Sequence, residues 1–429
     1  MLRVQNANTY TSHREPPANA PKDPRTDFVT RYTAISDALQ SVGIKGIAIC
    51  QWGTPYISPT GLEGPSSWTP PLSNSYRVSD DIAQGWANVM RIMNQAIHVN
   101  SKNLSGPGHW SDMDMMEVGN PGMTVTEQAS HFAIWAMFKS TLMISTSIPA
   151  ANSDTVTILQ NRDLIAINQD EAGLPVTLVQ RFTNDRDVYA GDLANGDKAV
   201  LLLDLSNTTR TLSLDLTDIG IASATVKNLW TGDIEANVTS YSKQVDAHGS
   251  APLRLSNIRY KHTKQPKITW IEAESGSIQN GATSQTCSGC SNTGKVGSLE
   301  AGKGSLTLSG IRATKETQDV LFDYINCEIG YAFEGIGPNA RLAGISVNGG
   351  ALQNVSFTLT GEHNRKTIIC LSHTDRYATG YNWDRDVTKN YPVRLEGFST
   401  SEENTIEISG LFNGQSDFAP DIDRIGVAC

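Results

Sequence analysis

Apolar residues in the first 170 positions alternate between helical and strand-like spacing. A helix over residues 28–42 is predicted by apolar side chains at i, i+4, i+7 and i+11, namely Phe28, Tyr32, Ile35 and Leu39. Gly43 stands where a helix C-terminal glycine is expected. The unbroken apolar run Ile44–Cys50 then predicts a short strand buried on both faces, which is typical of parallel sheets.

The same strand-then-helix order recurs three more times. The predicted strands are Tyr76–Ser79, Gly106–Met116 and Leu142–Ile148, and the predicted helices after them cover Ile82–Ile97, Thr124–Phe138 and Val156–Asn168. The second of these helices opens with a capping box, Thr124-x-x-Glu127, and Glu127 is better explained as a cap than as a catalyst. Four units in series predict parallel β/α architecture. Residues 1–25 are polar and rich in proline, and we expect a loop there.

From about Leu174 the period changes from helical to alternating. Short predicted strands separated by turns are Val176–Phe182, Asp187–Ala190, Lys198–Leu205, Thr211–Leu216, Ala224–Leu229 and Pro252–Leu255. They predict an antiparallel β module over residues 174–258. The basic segment 259–267 is expected to be a linker, and residues 268–429 show strands and glycine-rich turns typical of a β-sandwich. Residues 1–173 form the α/β part of this multidomain α/β plus all-β protein.

The charge and the apolar runs exclude two classes of partner. A formal net charge of −10 argues against nucleic acid and suits neutral ligands such as sugars. No run approaches eighteen apolar residues, so we expect no membrane partner, and Met1-Leu2-Arg3-Val4 leads into polar sequence rather than an apolar signal core. We therefore expect no export signal in the sequence as given.

Other features nevertheless favour secretion. Five of the six cysteines fall in the last third of the chain, at Cys287, Cys290, Cys327, Cys370 and Cys429. Such clustering favours disulfides, although Cys287-Ser-Gly-Cys290 is also half of a possible zinc site. Four Asn-x-Ser/Thr triplets fit an extracellular location, at Asn103, Asn207, Asn237 and Asn354.

Three predicted barrel strands end in side chains that carry chemistry: Gln51-Trp52, then Arg77 with Asp80 and Asp81, then His109–Met115. The carboxyl ends of parallel strands share one face of a barrel, and sites form there. Tryptophan faces stack on sugar rings, while carboxylates bind hydroxyls and transfer protons. The alternative for Arg77 and Asp81 is a surface ion pair that caps the next helix.

The segment Gly43–Asp170 resembles the melibiase, or α-galactosidase, family of glycoside hydrolases. The similarity rests on five elements in order: Cys50-Gln51-Trp52-Gly53, Tyr76–Ile82, Gly108–Met115, His131–Ser140 and Ile165–Asp170. The resemblance implies the C-terminal half of a (β/α)8 TIM barrel, followed by the β domain of these enzymes, which need no cofactor for catalysis.

Residue roles follow from that resemblance. Asp81 corresponds to the general acid/base and Arg77 to an arginine at the sugar, whereas Asp80 is only a neighbour. Gln51, Trp52, Asp114 and Met115 correspond to positions of the galactose pocket. Because most relatives carry a carboxylate where this chain has Gln51, the resemblance leaves the sugar preference open.

The family also carries a nucleophilic aspartate in a Lys-x-Asp strand end ahead of the first helix, and this sequence shows no such element. A retaining glycosidase needs two carboxyl groups about 5–5.5 Å apart. The first four strand–helix units of the barrel are missing as well, which would leave two sheet edges and an open apolar interior. We therefore expect the sequence to be part of a longer protein and to be nearly inactive alone.

The last module resembles calcium-binding carbohydrate-binding β-sandwiches found behind fungal glycosidases. Its first and last strands would offer Glu272, Glu274 and Asp423 to one Ca²⁺, unless these are ordinary solvated carboxylates. Loops that could touch sugar carry Tyr377, Trp383, Asn413 and Asp417, although each of these is also explained as an ordinary loop residue.

Three functions are compatible with these patterns. The first is a secreted α-galactosidase that removes terminal α-linked galactose, with retention, from galacto-oligosaccharides or galactomannans. The second is a non-catalytic glycan-binding protein that uses its β modules. The third is a related glycosidase with a different sugar preference, and Gln51 is the reason to consider it.

Overall fold

The computed structural model describes residues 2–5, 24–51, 56–58, 61–183, 186–261, 266–327, 338–361, 386–414 and 416–428. The α/β part contains strands β1 (Leu2–Gln5), β2 (Ile47–Cys50), β3 (Tyr56–Ser58), β4 (Gly61–Glu63), β5 (Ser75–Arg77) and β6 (Trp110–Asp112). Its helices are α1 (Phe28–Ser41), α2 (Pro65–Trp68), α3 (Trp86–Ser101), α4 (Val125–Met137), α5 (Ser153–Leu159) and α6 (Arg162–Asn168).

A parallel sheet in the order β1-β2-β5-β6 forms the centre of the α/β part. Its register sets Arg77 opposite Asp112, so the last residues of β5 and β6 are neighbours. Tyr76 enters the large core that α3 and α4 build, and Phe28, Tyr32 and Trp68 pack against Ile47 and Ile49. The predicted partial barrel is confirmed, and the strand β3 pairs only with β4 in a separate hairpin.

Two local predictions in this part were wrong. Residues 2–5 form β1 rather than a loop. Leu142–Ile148 is not a strand: Ile144 makes a single parallel bridge to Met116, and residues Ile148–Ala150 form a 3-10 turn. The side chains of Met143 and Ile144 are exposed, and a stretch at the sheet margin has too few partners to extend a ladder.

The expected open interior is also not observed. All described residues of β2 and β5 are buried, including the polar Ser75 and Arg77. Helix α1 and Trp68 cover one face of β2, and polar contacts around Arg77 occupy the strand ends. Burial on both faces is the condition under which a short parallel strand can be rich in apolar residues.

The β domain is antiparallel, as predicted. Its strands are β7 (Thr177–Phe182), β8 (Arg186–Asp192), β9 (Lys198–Asp204), β10 (Arg210–Asp215), β11 (Ile221–Asn228), β12 (Ile234–Val238), β13 (Ser240–Val245) and β14 (Ser250–Tyr260). The main sheet runs β12-β11-β14-β9-β8-β7, and β10 pairs with β13. Strands β12 and β13 were not predicted because β12 is almost wholly exposed and therefore lacks apolar alternation.

The C-terminal module is a β-sandwich, also as predicted. Its strands are β15 (Ile268–Glu272), β16 (Ser277–Gln279), β17 (Thr283–Thr286), β18 (Gly294–Gly297), β19 (Ser305–Ile311), β20 (Thr317–Ile325), β21 (Ala340–Val347), β22 (Gln353–Thr358), β23 (Thr388–Glu396), β24 (Asn404–Leu411) and β25 (Asp421–Ala428). A five-stranded sheet, β16-β19-β24-β21-β22, lies on a second sheet that contains β23, β20, β25, β18 and β17. Phe322, Phe357 and Tyr391 are among the side chains of the shared core.

The two β modules share one continuous sheet. Strand β7 pairs in parallel with β23, with Arg181 opposite Val393, so twelve strands form a single sheet across the module boundary. Strand β14 extends to Tyr260, into the predicted linker, and residues 262–265 lie outside the described part. Sequence patterns report strands but not their neighbours, and this pairing was therefore not predicted.

Two further findings concern the class of protein. Cys287 and Cys290 form a disulfide, which excludes the half zinc site at that position. Cys370 and Cys429 lie outside the described residues. Within the ranges given above, no helix is long and apolar enough to cross a membrane.

Candidate active site

Arg77 lies at the centre of the candidate site. Its side chain is 1% exposed, although a guanidinium carries a permanent charge. One terminal nitrogen, Nη1, donates to Asp81 Oδ1 at 2.7 Å, and the other, Nη2, donates to Asp114 Oδ1 at 2.5 Å. The Oδ2 atom of Asp112 lies 3.7 Å from Nε. Three carboxylates thus surround one buried cation and compensate the cost of burying it.

Asp114 is held in an unusual backbone conformation. Its φ is +77°, a region that non-glycine residues rarely adopt. Asp112 stabilises this turn because its Oδ1 accepts the Asp114 amide at 2.9 Å. The Asp114 carboxylate in turn accepts the amides of Met115 and Ile82, at 2.8 and 2.7 Å. Strain of this kind, compensated by several bonds, is common at functional sites.

Asp81 differs from its neighbours because its side chain is 62% exposed. Its carboxylate therefore reaches solvent while it remains bonded to Arg77. The helix-cap alternative is wrong, since α3 begins at Trp86 with Gly85 at its N-cap and no side-chain cap bond. Asp80 points the other way, is buried, and forms an ion pair with Arg91 of α3.

Two more of the pocket positions implied by the resemblance can be placed at strand ends. Gln51 follows β2 and is buried, and its Oε1 accepts the Tyr32 hydroxyl at 2.7 Å. Met115 is half-buried and directly follows Asp114. Trp52 lies outside the described residues. The described positions therefore follow three successive parallel strands, as the sequence predicted.

Burial and charge act in opposite directions on the ionisable groups. Burial raises the pKa of Asp114, while Arg77 and the amides of Ile82 and Met115 lower it, with a net increase. Burial alone would lower the pKa of the Arg77 guanidinium, but nearby Cys50, Asp112, Asp114 and the bond to Asp81 raise it overall. Arg77 is thus a fixed positive charge beside the exposed Asp81 carboxylate.

The segment after α4 is hydrogen-bonded to the residues at the end of β6. Ser140 Oγ accepts the Met113 amide at 2.9 Å, and the Thr141 hydroxyl donates to Asp112 Oδ1 at 3.1 Å. Lys139 is buried, with φ of +61°, and donates to the Ile167 carbonyl. Burial lowers the pKa of Lys139, and Asp170 opposes this change.

Sequence reasoning missed several residues of this site. Asp112 was noted only as part of a longer segment, and Trp135, whose Nε1 donates to the Asp114 carbonyl at 2.8 Å, was not singled out. The spacing of Asp112 and Asp114 at a strand end was a usable signal for the first. No signal indicated the second, because a tryptophan in an apolar helix is indistinguishable from core.

The predicted calcium ligands lie near one another at the start of the C-terminal sandwich. Ser291 joins two of them: its hydroxyl donates to Glu272 Oε1 at 2.8 Å and its amide to Asp423 Oδ1 at 3.0 Å. Asn292 donates to Glu274 Oε1 at 3.2 Å. The Oε2 atoms of both glutamates are buried and have no hydrogen-bond partner among the described residues.

Buried carboxylate oxygens without partners cost free energy, and a bound cation would offset that cost. Burial also raises the pKa of Asp423 to about 6, with the Ser291 amide opposing and Asp323 and Glu272 adding to the increase. In the described ranges, however, no three His, Cys, Asp or Glu side chains are grouped closely enough to hold a metal ion.

Of the predicted sugar-contacting loop residues, two can be placed. Asn413 is engaged within its loop, since its Nδ2 donates to the Ala340 carbonyl at 2.7 Å and its Oδ1 accepts the Ser416 amide at 2.9 Å. Asp417 is exposed, and the neighbouring Phe412, which was not predicted, is 66% exposed. Tyr377 and Trp383 lie outside the described residues.

Comparison with known proteins gives matches over the first two parts of the chain. Residues 21–170 match the family model described as alpha galactosidase A, and residues 183–255 match the alpha galactosidase C-terminal beta sandwich domain. A probable alpha-galactosidase D of Aspergillus terreus is 37% identical over 240 residues, which cover 54% of this chain and 35% of that protein. Alpha-galactosidase D of Emericella nidulans is 33% identical over 254 residues, or 58% of this chain and 36% of the relative.

Among solved structures, alpha-galactosidase I from Mortierella vinacea superposes with a TM-score of 0.50 at 27% sequence identity, over 54% of this chain and 64% of that one. The chain spans little more than a third of the length of the curated relatives it matches.

Proposed function

We propose, from the premise that residues 21–170 and 183–255 belong to the melibiase family, that this protein takes part in the hydrolysis of terminal α-linked galactose. One observation carries the proposal: the solvent-exposed Asp81 carboxylate is bonded to the buried Arg77 at the carboxyl end of parallel strands. A carboxylate that is both accessible and oriented can exchange protons with a bound substrate.

In the proposed reaction Asp81 acts first as an acid. It donates its proton to the glycosidic oxygen as the bond from that oxygen to the anomeric carbon breaks, and the aglycone leaves as an alcohol. In the second step Asp81 accepts a proton from water, whose oxygen bonds to the anomeric carbon as the bond from that carbon to the attacking carboxylate breaks, which releases the sugar and the free carboxylate. Arg77, Asp114 and Gln51, with Trp52 and Met115, are proposed to hold the sugar.

The covalent step also needs an attacking carboxylate about 5–5.5 Å from the acid. Asp112 and Asp114 are the carboxylates beside Asp81 in the described residues, and both face Arg77. We infer that neither attacks the anomeric carbon, because each is committed to the cation and to backbone amides. The chain by itself should therefore turn over galactosides very slowly.

The test compares this chain with a longer polypeptide in which the N-terminal half of a relative's barrel is joined upstream of residue 1. Release of 4-nitrophenol from its α-galactoside should be near background for the first and at least a hundredfold faster for the second. In the longer protein Asp81→Asn should abolish the gain, while Asp37→Asn, in the exposed face of α1, should not. Equal and rapid turnover by both parent proteins would show that the nucleophile is already present.

The identity of the sugar is a separate proposal, and it rests on Gln51. A glutamine side chain carries amide donors, whereas a carboxylate at this position would offer only acceptors. The Tyr32 hydroxyl, which donates to Gln51 Oε1, fixes the orientation of that amide. Rates on matched α-galactosides, α-glucosides and α-N-acetylgalactosaminides, for the parent and for Gln51→Asp, distinguish galactose from the alternatives.

A second candidate function, glycan binding by the C-terminal sandwich, is favoured by Phe412. An aromatic side chain that is 66% exposed, five residues from the exposed Asp417, offers a stacking face and hydrogen-bond acceptors to a sugar. Titration of the full chain with galactomannan should give binding that Phe412→Ala weakens and Leu352→Ala, also exposed in this module, does not. Binding without hydrolysis in the longer protein would favour this function over the first.

We also propose an extracellular location and galacto-oligosaccharides or galactomannans as substrates. The Cys287–Cys290 disulfide supports an oxidising compartment, and the asparagines of all four glycosylation triplets are exposed. Mass spectrometry of the protein secreted by a fungal host should find glycans at these asparagines, and unmodified asparagines would count against this location.

A further inference from the structure

Helix α3 contacts both the segment that carries Asp81 and the C-terminal sandwich. The helix follows the segment that carries Asp81, and its side chains Arg91 and Gln95 are fully buried. The helix also packs against β22, and four polar contacts join the helix and the adjoining Lys102 to the sandwich. The sandwich is thus attached to the helix that follows Asp81 in the chain.

Asn339 makes the central contact of this interface. Its Nδ2 donates to the Arg91 carbonyl at 3.1 Å and lies 3.4 Å from Gln95 Oε1. It is completely buried, and its backbone has a φ of +51°. On either side, Asn94 Nδ2 donates to the Pro338 carbonyl at 2.8 Å and Lys102 Nζ to the Thr360 carbonyl at 2.7 Å.

The two helix residues that meet Asn339 also hold the backbone before and at Asp81. Gln95 Nε2 donates to the Val78 carbonyl. Arg91 pairs with the Asp80 carboxylate, and its Nη2 lies 3.4 Å from the Asp81 carbonyl. A continuous series of hydrogen bonds therefore runs from the sandwich through α3 to residues 78–81.

Asp81 depends on this backbone for its position. Its exposed side chain is fixed at one end by the bond to Arg77, and a carboxylate that reaches into solvent gains little orientation from packing. The direction of the acid is therefore set by the course of the chain from Val78 to Ile82, whose amide is bonded to Asp114. A less ordered helix α3 would allow the backbone of residues 78–82 to adopt more than one conformation.

We propose that Asn339 is a positioning residue, through which the C-terminal sandwich orders helix α3 and thereby the segment that presents Asp81. This inference rests on the proposed function for the role of Asp81, but the ordering itself is independent of catalysis. The sandwich would then be a fixed part of the hydrolytic site rather than a freely tethered sugar-binding module.

Asn339→Gly is the informative variant. Glycine adopts a positive φ without cost, so the change removes the amide contacts and keeps the backbone conformation. Asn348→Gly is a matched control: it has a φ of 54° and loses side-chain bonds to Gly397 and Asn404, all within the sandwich. Asn94→Ala, which favours the helix while removing the contact to Pro338, provides a second test if Asn339→Gly folds poorly.

The measurement is amide hydrogen exchange of the full chain. In Asn339→Gly, exchange at Val78, Ile82 and the first half of α3 should accelerate about tenfold, as expected for the loss of two buried hydrogen bonds, with the sandwich core unchanged. Asn94→Ala should act in the same direction, and Asn348→Gly should leave residues 78–82 within about twofold of the parent.

Equal protection of residues 78–82 in the parent protein and in Asn339→Gly would overturn the inference, and so would a uniform loss of protection over the whole chain. Activity is read separately, in the longer polypeptide that carries the joined N-terminal half-barrel. There, Asn339→Gly should lower kcat several-fold with KM nearly unchanged. If Asp81→Asn leaves turnover intact while the exchange result holds, the proposed catalytic role fails and the ordering stands.

Discussion

Arg77 Nη2 lies 2.5 Å from Asp114 Oδ1, and both side chains are buried at the carboxyl ends of neighbouring parallel strands. The pair connects the residue that ends β5 with the turn that follows β6. Asp114 also holds the segment that carries Asp81, because its Oδ2 atom accepts the amide of the next residue, Ile82. One buried ion pair therefore fixes the relative positions of three segments of the candidate site.

Removing Asp114, the buried partner of Arg77, should lower the free energy of unfolding far more than removing Asp81, the exposed partner. Asp114→Asn leaves a buried guanidinium with less compensating charge, and we expect a loss of about 3–5 kcal/mol in the free energy of unfolding. Asp81→Asn affects a largely exposed partner and should cost less than about 1 kcal/mol. Urea unfolding of both variants measures the difference.

The comparison is informative because both substitutions remove one carboxylate charge from the same arginine. Similar losses for the two variants would mean that charge alone, and not burial, sets the stability of the cluster. A loss for Asp114→Asn that disappears in the double variant Asp114→Asn with Arg77→Met would confirm that the unpaired cation is the cause.

Much of this site was predictable from sequence because its parts follow strands in order. Gln51 follows strand β2, Arg77 ends β5 and Asp114 lies two residues after β6, and parallel strands bring such positions to one edge. The helical period predicted α1 and the capping box predicted the start of α4, where Thr124 and Glu127 form both expected bonds. Local chemistry of this kind does not depend on the rest of the fold.

Features set by distant contacts were not predictable. The helix α3 starts at Trp86, four residues later than expected, because the segment from Ile82 is held by Asp114 instead of by helical bonds. The pairing of β7 with β23 joins residues more than two hundred positions apart. Apolar periodicity reports which side of a strand is buried, but it contains no information about which strand lies alongside.

The interface between the α/β part and the β domain should contain a measurable coupling between Glu127 and His248. Their Oε1 and Nδ1 atoms are 2.7 Å apart, and Trp86 stacks on the imidazole with ring centroids 5.1 Å apart. A double-mutant cycle of Glu127→Gln and His248→Asn should give a coupling of about 0.5–1 kcal/mol in unfolding free energy.

The control for that cycle is Thr124→Ala, which removes the other half of the cap and does not contact His248. It should cost about 1 kcal/mol and be additive with His248→Asn. A coupling of zero between Glu127 and His248 would mean that the close approach of their atoms contributes nothing to the interface.

Calcium should stabilise the C-terminal sandwich if Glu272, Glu274 and Asp423 bind it. Ligand present at about a hundredfold excess over its Kd adds about 2.7 kcal/mol, which should raise the melting temperature by several degrees. Glu274→Gln should remove the increase, because it replaces a carboxylate that has an orphaned buried oxygen. Differential scanning calorimetry with calcium or with chelator measures this effect.

Glu300→Gln is the matched control, since Glu300 belongs to the same module but pairs with Lys303. It should leave the calcium response intact. An equal response to magnesium would contradict the proposed site, because magnesium demands a tighter, octahedral set of ligands and keeps its water.

Acid should destabilise the α/β part through His131. This residue is fully buried, and burial lowers its pKa to about 3, against about 6.5 in the unfolded chain. Its Nε2 accepts the Glu117 amide at 2.9 Å, and its ring contacts Trp135 edge-on, so the folded state requires a neutral imidazole. Between those two pH values the unfolded chain binds one more proton than the folded protein.

The free energy of unfolding should consequently rise with pH from about 3 to 6.5, and the contribution of His131 should be complete above pH 6.5 and lost on acidification. His131→Gln keeps an acceptor for the Glu117 amide but does not titrate. Between pH 4 and 6 the slope of its unfolding free energy against pH should be smaller than that of the parent by about 1.4 kcal/mol per pH unit, which corresponds to one proton. Phe132→Leu, a neighbouring core change, should lower the curve without altering its slope. Parallel curves for His131→Gln and the parent would show that some other group causes the acid sensitivity.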